Sequence, residues 1–118
     1  MPLSIKTNFS ALRALAVKQN VTANNIANSE TRAFKGSRAV IEEGVAGAVT
    51  AKTQPVNTPV TMINQPDGSL EEMSNVDLAR EMTDMIPTKH AYQANLRALQ
   101  TDAEMEKLAD FLRSISVL

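Results

Sequence analysis

The segment from Ser74 to Leu118 constrains this chain more than any other. Its apolar residues recur at helical spacing through Leu78, Met82, Met85, Tyr92, Leu96, Leu99, Leu108, Leu112 and Ile115, and no glycine follows Gly68. Such a run reads as one long helix. At about 1.5 Å of rise per residue it would reach roughly 60 Å, more than the diameter of a compact domain built from so few residues. A helix of that length needs a partner to cover its stripe. Ser74 is the expected N-cap, with Asp77, Glu81 and Asp84 placing negative charge near the positive end of the helix dipole. Pro87 deletes one backbone hydrogen bond and clashes with the preceding turn, at a cost of about 3 kcal/mol. A kink near Thr83 to Pro87, or two helices sharing an axis only approximately, is therefore expected.

The rest of the composition points to an elongated molecule with a thin core. Three Phe, one Tyr and no Trp leave the interior of this 118-residue chain to Leu, Ile, Val, Met and Ala, the residues of helix seams. Twelve basic and thirteen acidic residues give a formal net charge of −1 and are interspersed, so no block of one sign is available for phosphates or anionic lipid. Nucleic-acid binding is disfavoured. Cysteine is absent, which removes disulfides, cysteine nucleophiles and thiolate metal sites. The start, Met1-Pro2-Leu3-Ser4-Ile5-Lys6, shows no charged leader with an apolar core, and no run of about 18 apolar residues occurs. Neither a cleaved signal nor membrane insertion is expected.

A first helix is expected from Ile5 to Asn28, with Ile5, Phe9, Leu12, Ala16, Ala23 and Ile26 forming a heptad seam in which Gln19 is the polar member. Leu15, Val17 and Val21 widen the stripe, so this helix should meet more than one neighbour. It runs into Asn24, Asn25 and Asn28, residues that compete for backbone hydrogen bonds and suit a helix end. Asn28 tolerates left-handed backbone angles and is the expected terminator. Residues 36 to 73 change character: Gly36, Gly44 and Gly47 with Pro55, Pro59 and Pro66 punctuate short β-branched runs at Val40-Ile41, Val45 to Thr53 and Val60 to Ile63. Two or three short strands are expected. Gln65-Pro66-Asp67-Gly68-Ser69 has the order of a β-turn, pairing Val60–Asn64 with Ser69–Met73. The fold class is thus mainly α with a small β element, in three segments: residues 1–35, 36–73 and 74–118.

Catalytic chemistry finds no foothold in these residues. His90 is the single histidine, with no second His or Cys to share an ion. Asp77, Glu81 and Asp84 share a helix face, but the dipole already accounts for them. Gly44-Val45-Ala46-Gly47 lacks the Lys and Ser/Thr of a phosphate loop. No catalytic, cofactor or metal residue is assigned, and no enzyme is expected.

Two stretches read together resemble a family. Ala23-Asn24-Asn25-Ile26-Ala27-Asn28, followed by Thr31 and Phe34-Lys35, resembles the amino-terminal signature of bacterial flagellar rod and hook axial proteins. Ser74-Asn75-Val76-Asp77-Leu78-Ala79-Arg80-Glu81-Met82, with Met85-Ile86 and Ala91-Tyr92-Gln93-Ala94-Asn95, resembles its carboxy-terminal signature. The middle is short, as in a proximal rod subunit. The resemblance implies terminal helices paired as an antiparallel coiled coil, stacked with those of other rod subunits and of further copies into a helical filament that transmits torque, with the middle outside. It also implies export through the flagellar type III apparatus without a cleaved signal, to a periplasmic rod of the basal body. The seam residues Phe9, Leu12, Ala16, Ile26, Leu78, Met82, Met85, Tyr92, Leu96 and Leu99 become the expected assembly interface, and Asn24, Asn25, Asn28, Thr31 and Phe34 the family loop. The family's loops usually carry Pro-Gly before the aromatic; here Arg32-Ala33 stands there, so the left-handed turn that glycine permits is expected to be lost or reshaped. The rival class is a helical binding module, an export adaptor or chaperone-like hairpin. A wall hydrolase would need a carboxylate pair facing a cleft, which this architecture does not offer.

Overall fold

Two helices of unequal length set the shape of the protein. In a computed structural model, which describes residues 3–117, α1 spans Leu3–Ala27 and α2 spans Leu78–Ser116. Met1, Pro2 and Leu118, the outermost residues of the two terminal segments, lie outside the described residues. The helices run antiparallel: Asn8 Nδ2, near the start of α1, donates to Asp102 Oδ2 far along α2 at 2.9 Å, and Leu15 and Gln19 lie level with Tyr92 and Leu96. Principal extents are 86 × 24 × 15 Å and the radius of gyration is 21.4 Å. A compact chain of this length would give about 13 Å, so most residues lie near a surface.

The seam of α1 is rotated from the heptad reading. Ile5, Leu12, Ala14, Leu15, Thr22 and Asn25 are buried, whereas Phe9 is 51% exposed. Periodicity marks an apolar stripe but not which edge meets a neighbour; here α2 takes one side and a β-hairpin another. That hairpin is β1 (Ser37–Glu43) with β2 (Val49–Pro55), antiparallel from Ser37↔Pro55 to Glu43↔Val49. A second hairpin pairs β3 (Met62–Asn64) with β4 (Leu70–Glu72). Four strands stand where two or three were expected, because each of the two hairpins forms with both of its strands. Val45–Gly47, read as strand, is a 3-10 turn in which Ala46 has φ 60°.

Neither hairpin would be stable alone. The first rests along α1, with Val49 N donating to Ser10 Oγ at 3.0 Å, and a Lys52–Glu42 ion pair at 2.8 Å crosses its outer face. The second is held by Ala33 N donating to Glu72 O at 3.0 Å and by an Arg32–Glu71 ion pair at 2.6 Å. Its turn is the Pro66-Asp67-Gly68 turn expected from sequence: Gln65 N donates to Ser69 O, Gly68 N to Gln65 O, and Gly68 takes φ 87°.

The joint between α1 and the first hairpin is a pair of asparagines. Asn25, 1% exposed, donates from Nδ2 to Ser37 O at 2.6 Å and accepts from Ser37 N at 3.0 Å, acting as a strand neighbour to that residue. Asn75 accepts from Gly36 N at 2.7 Å and donates to Val56 O at 2.8 Å, while Val56 N donates to Gly36 O at 2.9 Å. A Cβ on Gly36 would approach Val76 Cγ2 at 3.3 Å, close enough that Val76 would have to give slightly, and would touch Asn25 Oδ1 at 3.4 Å and Asn75 Oδ1 at 3.5 Å.

This joint also decides where α2 starts. Asn75 N donates to Phe34 O at 3.1 Å, so residues 74–76 are held extended and Ser74 cannot cap the helix. Ser74 Oγ instead accepts from Val76 N, and Asp77 is the cap, its Oδ1 accepting from Arg80 N at 3.2 Å. Nor does α2 break at Pro87. It continues as one helix, with the hydroxyls of Thr83 and Thr88 donating to Ala79 O and Asp84 O, and Thr88, 3% exposed, seated against α1. Tertiary packing of a long helix outweighs the local cost of one proline.

Asn28 ends α1 by a different route from the one expected. It has no positive φ; its side chain donates to Asn24 O at 2.9 Å and accepts from Thr31 Oγ1 at 3.0 Å. The left-handed residue is Ala33, φ 58°, so the turn is retained although glycine is not. An alanine there carries steric cost of about 1 kcal/mol.

Three outcomes follow for the isolated protein. Asn25→Ala, which orphans both backbone groups of Ser37, is expected to lower unfolding free energy by about 2 kcal/mol in urea titration and to expose the Ser37 amide to hydrogen exchange. Ala33→Gly should raise stability by no more than about 0.5 kcal/mol in the same titration, since relief of the left-handed penalty is largely offset by the added freedom of the unfolded chain. The hydroxyl and amide of Ser69 hold the Asp67 carboxyl below the usual carboxylate range. The turn's contribution is therefore present above the ordinary carboxylate pKa and disappears as pH falls through Asp67's own. Ser69→Ala should bring the Asp67 titration, followed by NMR, back up.

Candidate assembly surfaces

Pairing the two helices leaves much of their apolar surface in water. The stripe on α2 expected to meet other chains is only partly used by α1: Leu78, Met82, Tyr92 and Leu96 are exposed, while Met85 and Leu99 are half-buried. On α1, Phe9 is exposed, Ala16 and Ile26 are half-buried, and Leu12 is buried inside the chain. Leu12 is thus a core residue of the monomer, and the remaining nine expected interface positions keep at least part of their surface.

Two of the open surfaces stand out. One is a groove of about 490 Å³ between the helices, lined by Leu15, Ala16, Gln19 and Asn20 of α1 and by Thr88, Lys89, Tyr92, Gln93 and Leu96 of α2. Gln19, the polar member of the seam, has a buried Oε1 with no hydrogen-bond partner among the described residues. The other is the end of α2. Past Asp102 the helix runs on to Ser116, and Met105, Leu108, Phe111, Leu112 and Ile115 are all about half exposed, Phe111 at 60%.

The loop residues Asn24, Asn25, Asn28, Thr31 and Phe34 are brought together, but as joint rather than as contact surface. Asn25 alone is buried; Phe34 contributes its carbonyl to Asn75 and, through its amide, closes a turn on Thr31 O at 3.2 Å. Sequence reading missed Ser37 as the partner of Asn25, and Gly36 and Val56 as the partners of Asn75, since nothing local ties residues 12 to 39 positions apart. It also left Phe111 unassigned, since that residue falls outside the stripe of Leu108, Leu112 and Ile115. Among the described residues no three His, Cys, Asp or Glu are grouped to share an ion, and no helix is long and apolar enough to cross a membrane.

Comparison with known proteins covers both ends of this geometry. Residues 5–35 match the family described as flagella basal body rod protein, and residues 67–110 match the flagellar basal body rod FlgEFG protein C-terminal family. Asn25 lies in the first match and Asn75 in the second, so the clamp joins the two. Among curated relatives, flagellar basal-body rod protein FlgC of Salmonella typhimurium is 25% identical over 114 residues, covering 81% of this chain and 85% of its own. FlgC of Escherichia coli O6:H1 is 27% identical over 114 residues with the same coverage. With both terminal helices matched in order and the full helical pair in place, the chain belongs to the flagellar basal-body rod protein family.

Proposed function

We propose that this protein is a non-enzymatic structural subunit that assembles with other rod subunits, and with copies of itself, into the periplasmic rod of the flagellar basal body and there transmits torque. The observation that carries the reading is the long helix pair whose apolar faces at Leu78, Met82, Tyr92, Leu96 and Phe9 are only partly covered within the chain. Surface that costs solubility in a monomer becomes interface in a filament. The two hairpins, tied to the helix pair through the asparagine joint, would face outward. Family membership supports passage through the flagellar type III export apparatus, and the likeness to FlgC supports a place in the proximal rod. A helical adaptor or chaperone would hold one client on the same stripe and stay out of the assembled structure.

Fractionation separates these roles. The tagged chain is expected in isolated basal bodies of its own bacterium, and the double variant Met82→Asp with Leu96→Asp is expected to lose that association at least tenfold while keeping its helical circular dichroism. Recovery of the unaltered chain only in the soluble fraction, as a monomer with both helices formed, would sink the assignment in favour of an adaptor.

A further inference from the structure

The second hairpin hangs from the molecule at a single point. The chain leaves the asparagine clamp at Val56 and returns to it at Asn75, and these two residues are tied together by Asn75 Nδ2 donating to Val56 O at 2.8 Å. Residues 57–73, β3 and β4 included, form an arm between them. None of these residues is buried, and neither helix nor the first hairpin packs on β3 or β4 in the way that α2 and the first hairpin pack on α1. Among the described residues, two hydrogen bonds join the arm to the loop that follows α1: Ala33 N donates to Glu72 O at 3.0 Å, and Arg32 Nη1 donates to Glu71 Oε2 at 2.6 Å as an ion pair. Gln65 Nε2 donates to the same Glu71 oxygen from within the arm and holds that carboxylate in place. The other bonds of the arm are internal, with Gln65 N donating to Ser69 O at 2.8 Å and Met73 N to Thr61 O at 2.9 Å.

We propose that the second hairpin is a salt-sensitive arm that swings on the Val56–Asn75 tie, with the Arg32–Glu71 and Ala33–Glu72 contacts as its latch. Closing the latch strains the loop: Ala33 takes φ 58°, a left-handed angle that an L side chain opposes, and the bond that holds it there is the one to Glu72. Opening lets Ala33 return to an ordinary angle. The force that closes the arm is the ion pair, and Arg32 is exposed enough for added salt to weaken it. Apolar burial, which salt would not weaken, contributes little, since Met62 and Leu70 are both exposed. The clamp takes no part in the swing. Asn25 holds both backbone groups of Ser37, and Phe34 O stays bonded to Asn75 N, so the change is confined to residues 29–33 and the arm. The loop after α1 therefore has two states, selected by a carboxylate 39 positions further along the chain. Latched, it turns sharply with Arg32 neutralised; open, it leaves Arg32 and the Ala33 amide free. Segments held by so few bonds are the ones that open locally, well below the free energy of global unfolding.

Amide hydrogen exchange on the full chain, followed by NMR, reads the latch at Ala33 and the clamp at Ser37. Salt is raised from about 0.01 M to about 1 M, which shortens the Debye length from about 30 Å to about 3 Å. Relative to its intrinsic rate, Ala33 exchange is expected to quicken about threefold, while Ser37 exchange stays unchanged. Glu71→Gln, which keeps the shape of the side chain and removes its charge, is expected to give a similar gain at low salt and to abolish the salt response. Unchanged helical circular dichroism checks that the variant is folded. Arg32→Gln should act alike, and the double variant should exchange no faster at Ala33 than either single one. Acceleration of Ala33 and Ser37 by the same factor would mean that the loop opens only together with the clamp. An Ala33 rate indifferent to salt and to Glu71→Gln, or additive effects of the two substitutions, would mean that the ion pair does not hold the arm. Any of these results overturns the proposal.

Discussion

The polar clamp at the base of the first hairpin is the interaction on which the rest of the structure depends. Asn25 and Asn75 come from the end of α1 and the approach to α2, and between them they satisfy backbone groups of Gly36, Ser37 and Val56 where the hairpin leaves and rejoins the helices. Leaving these groups unpaired in a molecule this thin would cost as much as several apolar contacts contribute. A side-chain amide suits the task because it offers donor and acceptor in the geometry of a peptide. The carboxylate of Asp offers no donor, and the hydroxyl of Ser cannot span both groups. Because Gly36 is pressed against both asparagines and Val76, the clamp also fixes how closely the hairpin approaches the helix pair.

Two consequences run outward from the clamp. Toward α2, it holds residues 74–76 extended, moves the helix start to Asp77 and sets the register in which Thr88 lies against α1 and Asn8 reaches Asp102. Toward the loop, it requires the chain to turn sharply between Asn28 and Phe34. That turn needs one left-handed residue, and Ala33 adopts the conformation because Ala33 N is bonded to Glu72 O and Arg32 is paired with Glu71 on the second hairpin. Tertiary hydrogen bonds thus sustain a backbone angle that local preference opposes.

The helix pair beyond the clamp follows a different physics. Its only large buried apolar side chains among the described residues are Ile5, Leu12 and Leu15, few for two helices of this length. Hydrophobic burial in the isolated chain is correspondingly small, and the remaining stripe on α2 stays in water. The same feature explains the 86 Å extent, which a chain with one central core would not adopt.

Much of this was legible from sequence, for reasons that can be named. The 3.6-residue period marked both helices nearly to their ends, the Pro66-Asp67-Gly68 order marked the second hairpin turn, and the asparagine run marked the joint, since each of these signals is local. What the sequence by itself determined was therefore the existence and order of the elements and the family they belong to. Only the tertiary structure decided that Leu12 turns inward while Phe9 does not, that Asp77 and not Ser74 begins α2, that α2 passes through Pro87 unbroken, and that Ala33 takes a glycine's place. In each case the deciding energy comes from groups distant in the chain: the side chosen by α2 on α1, the bond from Asn75 to Phe34, the packing of Thr88, and the bond from Ala33 to Glu72. Local propensities of about 1 to 3 kcal/mol yield to such contacts when several act together.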